Sequence, residues 1–173
     1  MPALRSLHRL DVMSAWEENG WVALSQCILD SYNTLLGQQL SDRNGSIVQQ
    51  AESLFNAPFA VIAHDRQTNP ILCYGNNTAL QLWEITIPVL LQTPSRETAE
   101  PVHRDERAIL LERTSRDGYV DDYRGIRIAT NGQRFLIERA TVWNLKAASG
   151  ELVGQAATFN SWEMLDSQTL LDG

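Results

Sequence analysis

The chain has little of what metal, disulfide and phosphate chemistry requires. Two cysteines in 173 residues, Cys27 on a predicted helix and Cys73 on a predicted strand, make neither a disulfide framework nor a metal spacing. The three histidines, His8, His64 and His103, stand at no ligand spacing from one another or from the cysteines. No stretch approaches about eighteen consecutive apolar residues, so no membrane-spanning helix is expected. Residues 1–10 lack the apolar centre of a signal peptide, which makes the cytoplasm the expected compartment. Basic charge is short as well: 14 Lys and Arg against 21 Asp and Glu leave a net charge of -7. Nucleic-acid affinity comes from clustered cations, so DNA and RNA are excluded as partners. There is no glycine-rich phosphate loop and no nucleophile elbow. His64 and Asp65 sit side by side on a strand end and point to opposite faces, so they make no dyad, and no other nucleophile with its base is visible. The chain is expected not to be an enzyme.

What is present is a strand-rich last third, from Gly118 to Trp162. Three runs of Val, Ile, Thr, Tyr, Phe and Trp are separated by the turn signals Asn131-Gly132 and Ser149-Gly150, which predicts a three-stranded antiparallel meander. A two-residue first turn would set Arg124 against Arg139, a like-charge pair that costs stability. A three-residue loop, 130–132, with Gly132 left-handed, sets Arg124 against Glu138 instead. In that register one face carries Tyr119, Tyr123, Arg127, Phe135, Ile137, Arg139, Thr141 and Trp143. The other carries Val120, Arg124, Ile126, Ile128, Leu136, Glu138 and Val142. Both are apolar enough to need cover. A four-residue second loop, 147–150, would set Lys146 against Glu151, Trp143 against Gly154 and Thr141 against Ala156. Those small residues either make room for an indole in a closed core or leave a concavity for a ligand.

Upstream, Asn19 or Gly20 opens an amphipathic helix through Trp21, Leu24, Ile28, Tyr32 and Leu35 that Gly37 ends. Ser46 and Gln49 form a capping-box pattern for a second helix ending before Pro58. Residues 1–57 thus read as a helical extension packing on the sheet or forming a dimer contact. Phe59 to His64 and Ile71 to Tyr74 read as short strands, Asn76 or Asn77 caps a helix through Trp83, and a helix from about Pro101 runs to Gly118. Residues 58–162 form the sheet domain, and 163–173 a short tail.

Strand, strand, helices, then a meander is the order of the PAS fold. Within it HD before the loop, NPILCYGN, PSRETAEP followed by RDER, GIRIATNGQRF and VWNLKAASGELVGQAATF resemble the MEKHLA domain, a PAS-related family, over roughly residues 21–162. The resemblance implies an α+β PAS-like domain with a five-stranded antiparallel sheet, covering helices and an N-terminal helical extension. It also implies a sensory, ligand-binding or protein-interaction role. Flavin photosensors of the PAS group carry their adduct-forming cysteine where this chain reads PSRETAEP, so a thiol adduct is excluded. His103, placed among charged neighbours, is not expected to ligate haem, and no cofactor is expected.

The candidate ligand residues are Trp83, Tyr119, Tyr123, Arg127, Arg139 and Trp143 on the inner sheet face, with Arg96 at a helix start. A buried guanidinium needs a partner. Either Asp121 or carboxylates of the covering helices supply it, or the arginines lie at the sheet edge with their heads in water, or a small anionic or aromatic ligand is held by the arginines and stacked by the indoles. The expected function is a sensory or small-ligand-binding module without catalysis, signalling through a partner or a homodimer. The alternative is a pure dimerisation module with a self-filled core.

Overall fold

A computed structural model of the chain describes residues 14–100 and 104–166. Its elements follow from local chemistry. Helix α1 (Trp21–Leu36) runs between Gly20 and Gly37, both left-handed. Helix α2 (Ile47–Phe55) starts at the expected capping box, with Ser46 N–H donating to Gln49 Oε1 at 2.8 Å and Gln49 N–H to Ser46 Oγ at 3.2 Å. Arg43 ties the two helices together by donating to Asp30 at 2.8 Å, Gln50 at 2.8 Å and Gln26 at 3.1 Å. Then come β1 (Ala60–Asp65), β2 (Leu72–Gly75), α3 (Asn77–Trp83), α4 (Ile87–Leu90), a 3₁₀ turn over Ser95–Thr98 and α5 (Arg104–Asp117). The chain continues with β3 (Tyr119–Ile128), β4 (Arg134–Lys146), β5 (Leu152–Phe159) and β6 (Trp162–Leu165).

The sheet is antiparallel in the order β2-β1-β5-β4-β3. It has a sixth strand where a tail was expected. β5 pairs with β4 along Thr141 to Lys146, leaving the same edge open along Arg134 to Ile137, and β6 fills it.

Pairing in the first hairpin joins Tyr119 to Trp143 and Ile126 to Leu136, the register expected from Arg124 and Glu138. The faces nevertheless differ from a simple alternation. Between Val120–Val142 and Tyr123–Ala140, two residues of β3, Asp121 and Asp122, oppose one of β4. Between Tyr123–Ala140 and Gly125–Ile137, two residues of β4, Glu138 and Arg139, oppose one of β3. Two bulges on opposite strands cancel in register but swap the faces around them. Their reason is charge. All four bulge residues stay exposed, while Val120, Ala140 and Val142 turn inward and are buried.

Tyr119, Arg139, Thr141 and Trp143 therefore do not share the face of Tyr123, Arg127, Phe135 and Ile137, and Val120 and Val142 join the inner face under Leu110 of α5. In the second hairpin Trp143 meets Ala156 and Leu145 meets Gly154, two residues along from expectation, because Ala147 N–H bonds Glu151 O at 2.8 Å. The shift is even, so the faces hold.

Two cores result. The outer one packs α1 and α2, through Trp21, Ile28, Leu29 and Leu54, on Val61, Tyr74, Trp143 and Leu145. The inner one packs α3 and α4 on Ile62, Leu72, Phe135, Ile137 and Phe159. Asn76 joins them. Fully buried, its Oδ1 accepts from Val61 N–H at 2.9 Å and Ala79 N–H at 3.1 Å, and its Nδ2 donates to Phe59 O at 2.8 Å and Leu54 O at 3.2 Å.

Candidate functional site

Between the inner sheet face, Trp83, the Ser95–Thr98 turn and α5 lies a cavity of about 70 Å³. Most of its wall is aliphatic, from Ile62, Leu72, Leu110, Ile137 and Val142, and the polar groups on it are few. They are Arg127, Tyr123, Gln155, His64, Ser95 and Thr98, with the indole of Trp83.

Arg127 is the charged member. It is 8% exposed, its Cζ stands 5.1 Å from the Tyr123 ring centroid, and its Nη1 donates to Ile126 O at 3.2 Å. Among the described residues the arginine ion pairs are Arg43–Asp30, Arg113–Asp122, Arg116–Asp117 and Arg134–Glu100, and none includes Arg127. Burial pushes its guanidinium down from the usual range, opposed by Tyr123 and more weakly by Glu106. It remains a cation. Gly125 sets this arrangement: Tyr123 lies back along β3 over the bare Cα of Gly125, and an added methyl there would overlap the Tyr123 hydroxyl.

Trp83, 4% exposed, sets its ring edge to face with Phe135 at 5.0 Å and with Phe159 at 5.9 Å, and its Nε1–H has no acceptor. Thr98 donates to Ser95 O at 2.8 Å, closing the turn beneath the cavity. Gln155, 7% exposed, donates through Nε2 to Asn144 Oδ1 at 3.0 Å, and its Oε1 has no partner.

Of the residues expected to hold a ligand, the structure brings together Trp83, Tyr123 and Arg127. Arg96 is exposed on the Ser95–Thr98 turn, outside the cavity wall. Tyr119 and Trp143 pack with α1 in the outer core, and Arg139 is exposed over an outer-face groove with Asp121 and Thr158. The bulges are the reason for all three displacements. Gln155 and His64 were missed, since no motif marks them. His103 lies outside the described residues.

Cys73 offers no nucleophile. Burial pushes its thiol up to about 12, with Asp65 adding to the shift. It should resist iodoacetamide at pH 8 in the native protein and react only after denaturant is added, because the thiolate is the reactive form. Rapid native-state alkylation, read by peptide mass mapping, would contradict this burial. Among the described residues no His, Cys, Asp and Glu cluster could hold a metal, and no helix is long and apolar enough to cross a membrane.

Similar structures are PAS domains. That of a protein from Colwellia psychrerythraea aligns at 14% identity over 64% of this chain and 91% of that one, with a TM-score of 0.56. A PAS domain from a two-component sensor histidine kinase aligns at 13% identity over 65% and 89%, with a TM-score of 0.50. A light-oxygen-voltage domain studied with a flavin analogue aligns at 13% identity over 75% and 91%, also at 0.50. These identities speak for the fold alone. Comparison with curated proteins gives no match. The family model of the MEKHLA domain matches residues 22–164, taking in α1, α2 and most of β6 along with the sheet, and with a fold of the PAS type beneath that match the chain belongs to the MEKHLA domain family.

Proposed function

We propose that the chain is a non-catalytic sensory module that takes a small anionic ligand in the inner cavity, with its output carried by a partner or a second copy. The observation that carries this reading is Arg127: a guanidinium nine-tenths buried, on the wall of a cavity, with no carboxylate in ion-pair distance among the described residues. An unpaired buried charge is costly, and an anion offsets that cost. The volume favours a compact anion over an aromatic one, because even benzene is taken by a cavity of about 150 Å³. It likewise leaves no room for a flavin or haem ring. Sensing is read across from the PAS fold and from the sensor histidine kinase among the similar structures.

A ligand of about five non-hydrogen atoms gains at most about 1.5 kcal/mol per atom, which sets the affinity at micromolar or weaker. Titrations must therefore reach millimolar concentrations. A bound anion at 100 times its Kd stabilises the fold by about 2.7 kcal/mol, which thermal unfolding reads directly. Carboxylates and oxyanions should raise Tm in the wild type. In Arg127→Met the response should vanish while the ligand-free Tm stays level or rises, since an apolar side chain of similar length removes the stranded charge. A ligand-free Tm that falls sharply would mean that Arg127 is structurally paired.

The small volume also favours a second reading, an interaction module with a core closed by its own side chains. In that case no anion raises Tm at any concentration.

A further inference from the structure

Gln155 adds a requirement that Arg127 alone does not impose. The direction of its amide follows from its neighbours. Asn144 Nδ2 donates to Thr114 O at 3.1 Å, and a carbonyl can only accept, so the other end of the Asn144 amide is its oxygen. Gln155 must meet that oxygen with its own Nε2, at 3.0 Å, and Ser115 Oγ lies 3.4 Å from the same nitrogen. The network leaves Oε1 of Gln155, a residue that lines the same cavity as Arg127, buried without a donor.

The residues that line the cavity thus include a cation, Arg127, and two with an unused group, the N–H at Trp83 Nε1 and the acceptor at Gln155 Oε1. Buried polar atoms are nearly always paired, and a cation with no carboxylate in ion-pair distance among the described residues, together with one unpartnered donor and one unpartnered acceptor, specifies what would satisfy them together. The first two call for an anionic oxygen. The third calls for a hydrogen-bond donor. A plain carboxylate or nitrate meets the first requirement and leaves the second open.

Resting on the anion-sensing reading above, we infer that the ligand is a hydroxylated oxyanion of four or five non-hydrogen atoms. Its charged oxygens lie toward Arg127 and Trp83 Nε1, and its O–H donates to Gln155 Oε1. Bicarbonate, glycolate and hydrogen phosphate belong to this class; nitrate matches bicarbonate in size and lacks its hydroxyl, and acetate is glycolate with the hydroxyl removed.

The test is a calorimetric titration of the full chain, in an amine buffer free of carboxylate and phosphate, with two matched pairs: bicarbonate against nitrate, and glycolate against acetate. In the wild type the hydroxylated member of each pair should bind at least tenfold more tightly. In Gln155→Met the preference should collapse towards unity, and in Arg127→Met all four should be lost. Equal affinities within both wild-type pairs, with binding still dependent on Arg127, would overturn this inference and leave the sensory reading standing. Binding by none of the four, nor by hydrogen phosphate, would overturn both. The wild-type comparison stands by itself should Gln155→Met not fold.

Discussion

Replacing Asn76 by alanine is expected to cost the fold about 3–5 kcal/mol, among the largest effects a single substitution here can have. Asn76 is the N-cap of α3, and its Oδ1 accepts from Ala79 N–H as a capping residue should. The same oxygen accepts from Val61 N–H in β1, and the amide nitrogen donates to Phe59 O and Leu54 O. Alanine leaves Val61 N–H, Ala79 N–H and Phe59 O buried without these partners, each at about 1–3 kcal/mol, while Leu54 O keeps Ala57 N–H at 3.4 Å. Urea unfolding should show a lower midpoint with an unchanged slope, and Tm should fall by roughly 10 °C. A loss under about 1 kcal/mol, the size of a lone exposed cap, would mean that the bonds to β1 and α2 contribute nothing.

Trp143→Ala is the second large effect, and it separates stability from binding. Trp143 is fully buried in the outer core, edge to face with Tyr32 of α1 at 5.0 Å. Truncating a buried tryptophan costs about 3–5 kcal/mol through lost transfer energy and the cavity left behind. The sheet lies between it and Arg127, so anion affinity measured at low temperature, where the variant stays folded, should match the wild type within about threefold. Loss of anion binding in a folded Trp143→Ala protein would contradict the assignment of these residues to opposite faces.

Much of this was legible in local chemistry. Gly20 and Gly37 bound α1, the Ser46–Gln49 box starts α2, and Gly132 and Gly150 adopt the left-handed turns that the meander needs. The like-charge argument at Arg124 gave the register of the first hairpin. Strict alternation then misassigned the faces, because a period of two presumes a strand without insertions. The sign of trouble was present: Asp121-Asp122 and Glu138-Arg139 are adjacent charged pairs, and alternation must bury one member of each. Paired bulges put all four into water. Strand β6 escaped notice because its partner edge, Arg134 to Ile137, becomes available only once β5 pairs further along β4.

The site was half legible for the same reason. Arg127, Tyr123 and Trp83 stand on elements whose faces were assigned correctly, whereas Arg139 and Trp143 lie beyond the bulge. Gln155 could not be read at all. Its importance lies in which end of its amide is satisfied, and that depends on Asn144 and Thr114, residues remote in sequence.

The central claim is that an anion sits against Arg127 inside the sheet domain. Crystals soaked in hydrogen selenite, a hydroxylated oxyanion with an anomalous scatterer, test it most directly. The account predicts an anomalous peak in the inner cavity, within hydrogen-bonding reach of Arg127 and Gln155, and its absence from Arg127→Met crystals. Peaks confined to surface arginines such as Arg139, with the inner cavity empty, would contradict it.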